Sequence, residues 1–242
     1  MERQNIFHDR HARGRTRTGW LQSFHTFSFG SFNDPARMGF SALRVINEDV
    51  IAAGSGFAEH AHDHFEILTF MLAGELEHRD SAGHAGRLGP DDVQLISSGT
   101  GIRHSEHNPS GTTSTHLFQV WLHGNADGEP PGYQHASKAL LLGPGSALRM
   151  LASPTPEPPA LQLRAPVTVW AGQLEAEQRR EHAAGPGRAA WLQCLEGVLH
   201  ASIPEVDADF ELRGGDALQL GTSVRVNLEG VTHARWLWFD LP

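Results

Sequence analysis

Phe65-Glu-Ile-Leu-Thr-Phe-Met-Leu72 leads into Ala73-Gly-Glu-Leu76, and this stretch decides the fold. Its apolar run is of strand length rather than helix length and is closed by a glycine. Comparable runs follow as Val93-Gln-Leu-Ile96 and Leu117-Phe-Gln-Val-Trp-Leu122. Glycine (26 residues) and proline (14) punctuate the chain every eight to twelve residues. That rhythm predicts an all-β barrel or sandwich. One short helix is expected near Glu175 to Glu181, because few windows keep an apolar 3.6-residue period beyond two turns.

Ser153-Pro-Thr-Pro-Glu-Pro-Pro159 cannot form a sheet ladder, since proline lacks the amide donor, so it predicts an exposed extended connection dividing the chain near residue 155. The expected domains are 1–150 and 160–242. Leu72-Ala-Gly-Glu-Leu76 followed by Leu88-Gly-Pro-Asp-Asp92 is echoed by Leu195-Glu-Gly-Val-Leu199 followed by Leu212-Arg-Gly-Gly-Asp216. Gly74 and Gly197 are 123 residues apart and Asp92 and Asp216 are 124 apart, which suggests two copies of one β unit.

The 242 residues carry 28 acidic and 19 basic side chains, a formal charge of −9 that repels nucleic-acid phosphates. Direct nucleic-acid binding is therefore not expected. Cys194 is the single cysteine and cannot form an internal bridge. The N-terminal stretch has no apolar segment of signal-peptide or membrane-span length, so a reducing cytoplasm and no membrane are expected. No nucleophile elbow, Walker loop or dinucleotide glycine fingerprint is present, which removes the commonest hydrolase, kinase and dehydrogenase readings.

Histidine is the unusual component, with sixteen residues that cluster. In Gly56-Phe-Ala-Glu-His60-Ala-His62-Asp-His64-Phe-Glu66 the three histidines alternate, so on one strand they share a face. In Gly99-Thr-Gly-Ile-Arg-His104-Ser-Glu106-His-Asn108, His104 and Glu106 share a face of a second strand. If those strands are neighbours, three imidazoles and a carboxylate converge. Such a set suits Fe, Mn, Co, Ni, Cu or Zn and not Ca²⁺ or Mg²⁺, which take all-oxygen shells. Alternation also places Glu66 on the face of His60 and His62, and spacing leaves its role open.

These residues resemble a family. Gly54-x₅-His60-x-His62-x₃-Glu66 followed by Gly74 looks like the first cupin motif, with one extra residue before the last glycine, and Gly101-x₂-His104-x₃-Asn108 looks like the end of the second. The wording is closer still to pirin-like bicupins. Their signatures are similar to Trp20-Leu-Gln-Ser-Phe-His-Thr-Phe-Ser-Phe29, Ile67-Leu-Thr-Phe70, Gly74-Glu-Leu-Glu-His-Arg-Asp-Ser81 and Gly99-Thr-Gly-Ile-Arg-His-Ser-Glu-His-Asn-Pro109. The resemblance is strong over residues 5 to 125 and holds in outline beyond.

The resemblance implies two tandem jelly-roll cupin barrels, with His60, His62, His104 and Glu106 as metal ligands and Glu66 not a ligand. It implies iron as the expected metal and a quercetin 2,3-dioxygenase-like activity that opens a flavonol with O₂ and releases carbon monoxide. Glu106 would then also be the catalytic base. The regulatory side of the same family implies an alternative, a metal- or redox-sensing protein that acts through protein partners. Counting back from Gly197, as from Gly74 to His60, lands on Ala183, with Gly185 in the place of His62 and Leu228 near that of His104. Only the N-terminal barrel is therefore expected to bind metal, one ion per chain.

The remaining residues read blandly. His182 and His200 are expected at the surface or in turns, and His64 as a partly exposed strand residue. His25 is expected to anchor the N-terminal strand by a hydrogen bond, while His78, His84, His107 and His116 carry no spacing signal. Cys194 reads as a buried inert thiol, and Trp236-Leu-Trp-Phe239 as a core strand. A monomer is the favoured state.

Overall fold

The computed structural model describes residues 5–124, 128–145 and 147–242. Among them are 22 strands, two single-turn 3₁₀ helices at Arg10–Ala12 and Pro204–Val206, and no α-helix. The described residues form two compact units. One takes Arg13–Leu141 with Glu157–Ala165, and the other takes the segment before Arg13, Leu142–Pro156 and Pro166–Pro242. Thus Glu157–Ala165 returns to the first unit, while Ile6–His8 pairs with Ala217–Leu220 in the second. Pairings of such sequence separation leave no local signal.

The first unit is a two-sheet barrel. Its larger antiparallel sheet runs Gly132–Ala136, Val93–Ser97, Phe65–Ala73, Thr115–His123, Leu43–Ile51, Leu21–His25 and Gly14–Arg17. Its smaller sheet runs Gly56–His62, Ile102–His107, Leu76–Asp80 and Ala85–Leu88. Phe65–Ala73 is central because its run is apolar on both faces, and Glu66 to Leu72 are all buried.

The second unit repeats this order. Ala217–Leu220, Ala189–Glu196, Ala234–Leu241 and Thr168–Leu174 correspond to Val93–Ser97, Phe65–Ala73, Thr115–His123 and Leu43–Ile51 of the larger sheet. Arg179–Ala183, Arg225–Gly230, Val198–Ile203 and Ala208–Arg213 reproduce the smaller one. The fold is therefore a tandem pair of jelly-roll units. The echoed glycines explain themselves: Gly74 and Gly197 have φ of +76° and +77°, and a Cβ there would strike the carbonyl oxygens of Ser114 and His233 respectively. The echoed aspartates cap the next turn alike, Asp92 accepting from Gly89 N and Asp216 from Arg213 N, each at 2.8 Å. Trp236, Trp238 and Phe239 are fully buried on Ala234–Leu241, the expected core strand.

Three expectations in the second unit are corrected. No helix forms at Glu175–Glu181: Glu177 turns at φ +65°, its amide donates to Gly230 O at 2.7 Å, and the chain enters the Arg179–Ala183 strand. A segment below two turns loses little by giving up helix for a sheet ladder. His182 is neither a surface nor a turn residue, for it lies on that strand with its ring 4.5 Å from Trp238, edge to face. His200, by contrast, is at the surface as expected, half-exposed on a strand with Nε2 3.3 Å from Asp209. Register supplies the third correction. Leu228 pairs with Arg180, and Val226 with His182, as His104 pairs with His60 and Ile102 with His62. Arg180 and His182, not Ala183 and Gly185, therefore occupy the places of His60 and His62.

Burial lowers the pKa of His182 below 6.5, and the Arg180 charge adds to this. The folded state disfavours the imidazolium, so the unfolded chain takes up this proton first. The His182 contribution to stability is complete above pH 6.5 and fades as pH falls below it. His182→Phe, which keeps a ring against Trp238, is expected to reduce the loss of denaturation midpoint between about pH 7 and about pH 5. Urea titrations of both proteins at the two pH values check this.

Candidate metal centre

His60 and His62 alternate on Gly56–His62, and His104 stands directly across from His60 on Ile102–His107. The side chains meet as this register requires. Ring centroids are 4.5 Å apart for His60 and His104, 4.7 Å for His60 and His62, and 4.9 Å for His62 and His104. His60 Nδ1 donates to the Ala58 carbonyl at 2.8 Å, and its Nε2 faces His104 Nε2 at 3.1 Å. Burial pushes the His62 imidazole down to about 4, with His104 and His60 acting in the same direction. Burial, then His60 and His78, push His104 down to about 3. Imidazoles whose ring nitrogens converge, and which resist protonation as His62 and His104 do, are the donors that a transition metal takes.

Glu106 is buried beside His104. The register slips between these two residues, so Glu106 pairs with Phe57, and the bulge falls on the Gly56–His62 side. Its Oε1 accepts from Gln94 Nε2 at 2.6 Å and its Oε2 from Gln119 Nε2 at 2.8 Å. Gln119 is held in turn by Trp121 Nε1 at 3.0 Å. The four expected residues form two overlapping groups rather than one. His60, His62 and His104 have donor atoms within 4.8 Å of one another, as do His78, His104 and Glu106. Both groups lie in the first unit.

Glu66 belongs to the other sheet. His64, exposed and with φ +60°, turns the chain after His62 and ends the alternation. Glu66 then faces Ser97, whose hydroxyl donates to it at 2.9 Å, and the Arg164 amide donates to the same oxygen at 3.1 Å. His64 is thus a turn residue rather than a strand residue. His25 anchors its strand as expected, through Asn47 Oδ1 at 2.8 Å and Thr16 Oγ1 at 2.9 Å.

His78 escaped the sequence reading. It is fully buried on the neighbouring Leu76–Asp80 strand, opposite Glu106. Its Nδ1 is 3.5 Å from His104 Nδ1, its Nε2 is 3.2 Å from Asp80 Oδ2, and its ring stacks on Tyr133 at 4.7 Å. His84 Nδ1 is 3.0 Å from the same Asp80 oxygen. Burial works to raise the Asp80 pKa, but hydrogen bonds from His78 and His84 outweigh it and hold the carboxyl below its usual range. The available signal was His78-x-Asp80, the same spacing of two that singled out His60 and His62. Gln94 and Gln119 carried another, an amide within an otherwise apolar run.

A cavity of about 560 Å³ opens beside these groups. His60, Glu106 and Gln119 line it together with Trp20, Leu21, Phe29, Phe57 and Trp121, so polar atoms converge at the edge of an apolar chamber. Trp20 and Phe57 meet edge to face at 5.3 Å.

The Pirin family model matches residues 7–122, and a model described as the quercetinase C-terminal cupin domain matches residues 150–241. The chain is 36% identical over 230 residues to a quercetin 2,3-dioxygenase of Escherichia coli O157:H7, covering 95% of each. It is 32% identical to the pirin-like protein YhaK of E. coli K12, again covering 95% of each. Among solved structures, the E. coli bacterial pirin YhhW in complex with nickel(II) superposes with a TM-score of 0.90 at 33% identity, covering 99% of both chains. Agreement in sequence and in backbone over nearly the whole length makes this chain a member of the pirin family.

Proposed function

We propose that this protein is a metal-dependent dioxygenase of flavonols such as quercetin, with one divalent transition metal held in the first unit by His60, His62, His104 and Glu106. The observation that carries this reading is the position of His60 and Glu106 on the wall of an apolar, aromatic-lined cavity of about 560 Å³, a volume that admits a small aromatic molecule. A small-molecule substrate and O₂ are also what the dioxygenase relatives imply. Iron is the expected metal, and the donor set also suits Mn, Co, Ni, Cu or Zn. When bound, such an ion would supply Lewis acidity toward a substrate hydroxyl and, where it is redox-active as iron is, a one-electron route for O₂.

The chain's own groups do the rest. Glu106 accepts the proton of the flavonol hydroxyl, since a carboxylate whose two oxygens are each held by an amide donor is oriented to act as a base. Trp20, Phe57 and Trp121 exclude water and present ring faces and edges to the substrate. The deprotonated flavonol is electron-rich enough to react with O₂. One O₂ is consumed for each carbon monoxide released as the heterocycle opens.

Elemental analysis of tag-free protein purified without chelators tests the reading, with quercetin loss and carbon monoxide release followed in the same sample. Near-stoichiometric metal and carbon monoxide from the parent, both lost in His62→Ala, are expected. Stoichiometric metal without turnover would transfer the assignment to a regulatory protein. Absence of metal from both samples would remove the site.

A further inference from the structure

The cavity contains a carboxyl that the chemistry above leaves unused. Asp49 lies on Leu43–Ile51, the strand of the larger sheet that pairs with both Leu21–His25 and Thr115–His123. It lines the same cavity as His60 and Glu106, yet it is 3% exposed. Its polar neighbours on that wall are satisfied, since His25 is bonded on both ring nitrogens, to Asn47 and to Thr16. Asp49 differs. Ser23 hydrogen-bonds its carboxyl, but Oδ1 has no partner. Among the described residues it is the one buried polar atom without a partner on a side chain that lines this cavity. A buried polar group left unpaired is costly, and one on the wall of a cavity is placed to be completed by what the cavity holds.

We propose that Asp49 binds a phenolic hydroxyl of the substrate and so selects among flavonols by their hydroxyl pattern. The inference rests on the flavonol reading and deepens it, assigning a specificity-determining residue on the cavity wall that belongs to the larger sheet. Burial first, opposed by the Ser23 hydrogen bond and supported by the Glu106 and Glu48 charges, brings the Asp49 carboxyl up to about 7. Near neutral pH it can therefore both donate to and accept from a hydroxyl, which a permanently ionised carboxylate cannot.

Calorimetric titration of the metal-loaded protein under anaerobic conditions separates binding from turnover. The probes are quercetin and a panel of flavonols each lacking one of its hydroxyl groups. The parent is expected to bind one member of the panel about tenfold or more weakly than quercetin, the loss of one buried hydrogen bond. In Asp49→Leu and Asp49→Ala that preference should disappear, and Asp49→Asn, which restores hydrogen-bonding atoms, should recover part of it. Asp49→Leu removes the unpaired oxygen together with the Ser23 hydrogen bond, so thermal melting is recorded for each variant to show that it is folded. A parent that binds the whole panel alike, or a folded apolar variant that keeps the parent's preference, overturns the role of Asp49 and leaves the dioxygenase reading standing. No flavonol binding by the parent overturns that reading and this inference together.

Discussion

Glu106→Gln is expected to lower quercetin turnover by about two to four orders of magnitude, the usual contribution of a positioned general base, while most of the bound metal remains. The substitution keeps the shape of the side chain and removes the proton acceptor. Three imidazoles still converge at 4.5 to 4.9 Å between ring centroids, so the loss of one carboxylate leaves most of the donor set. The two glutamines around Glu106 add a structural consequence. Gln94 and Gln119 each donate to a different carboxylate oxygen, and an amide offers only one oxygen. One of them must turn over or lose its bond. Gln94 can present Oε1, which has no partner in the parent, provided that the Thr69 hydroxyl, an acceptor at 3.1 Å in the parent, turns to donate. The stability cost should then be about 1 kcal/mol. Rates of carbon monoxide release, normalised to metal content by elemental analysis, check the prediction. A variant that turns over quercetin at the parent rate would show that Glu106 is not the base.

His78→Phe is expected to weaken metal binding by about 10- to 100-fold, the range found when a group that supports a ligand is removed. Phenylalanine preserves the ring stack on Tyr133, at 4.7 Å and 9° between planes. It removes both nitrogens, and with them the link from Asp80 through His78 to His104 Nδ1. His104 then has one fewer constraint on its ring orientation and tautomer. Competition against a chelator of known affinity reads the change directly. The Co²⁺ absorption spectrum should shift if the His104 donor moves. Unchanged affinity and spectrum would limit His78 to packing.

The sequence carried part of this site openly. His60, His62 and His104 were legible because a strand repeats every two residues, and both strands stay regular as far as those residues. Glu66 was ambiguous by the same rule, since nothing in Asp63-His64 announces that the chain changes sheet there. His78 was hidden because it joins from a third strand, and neighbours across a sheet need not be neighbours in sequence. The second unit gave the clearest failure of counting. Two residues separate Gly56–His62 from Phe65–Ala73, whereas five separate Arg179–Ala183 from Ala189–Glu196. Those three additional residues displaced the count from Gly197 by three, onto Ala183 instead of Arg180. The glycine turns themselves were legible, because their positive φ and the carbonyl packed against each Cα admit little else.

Cys194 has a practical consequence. It is fully buried in the second unit, and burial, with the Asp216 charge adding to it, pushes its thiol up to about 12. Thiolate is the reactive form, so alkylating reagents have almost nothing to attack while the strand stays closed. The folded chain therefore behaves as a cysteine-free background: a cysteine introduced at the mouth of the cavity can carry a fluorophore or spin label by itself. Slow labelling of Cys194 in the same preparation then times the opening of the other unit.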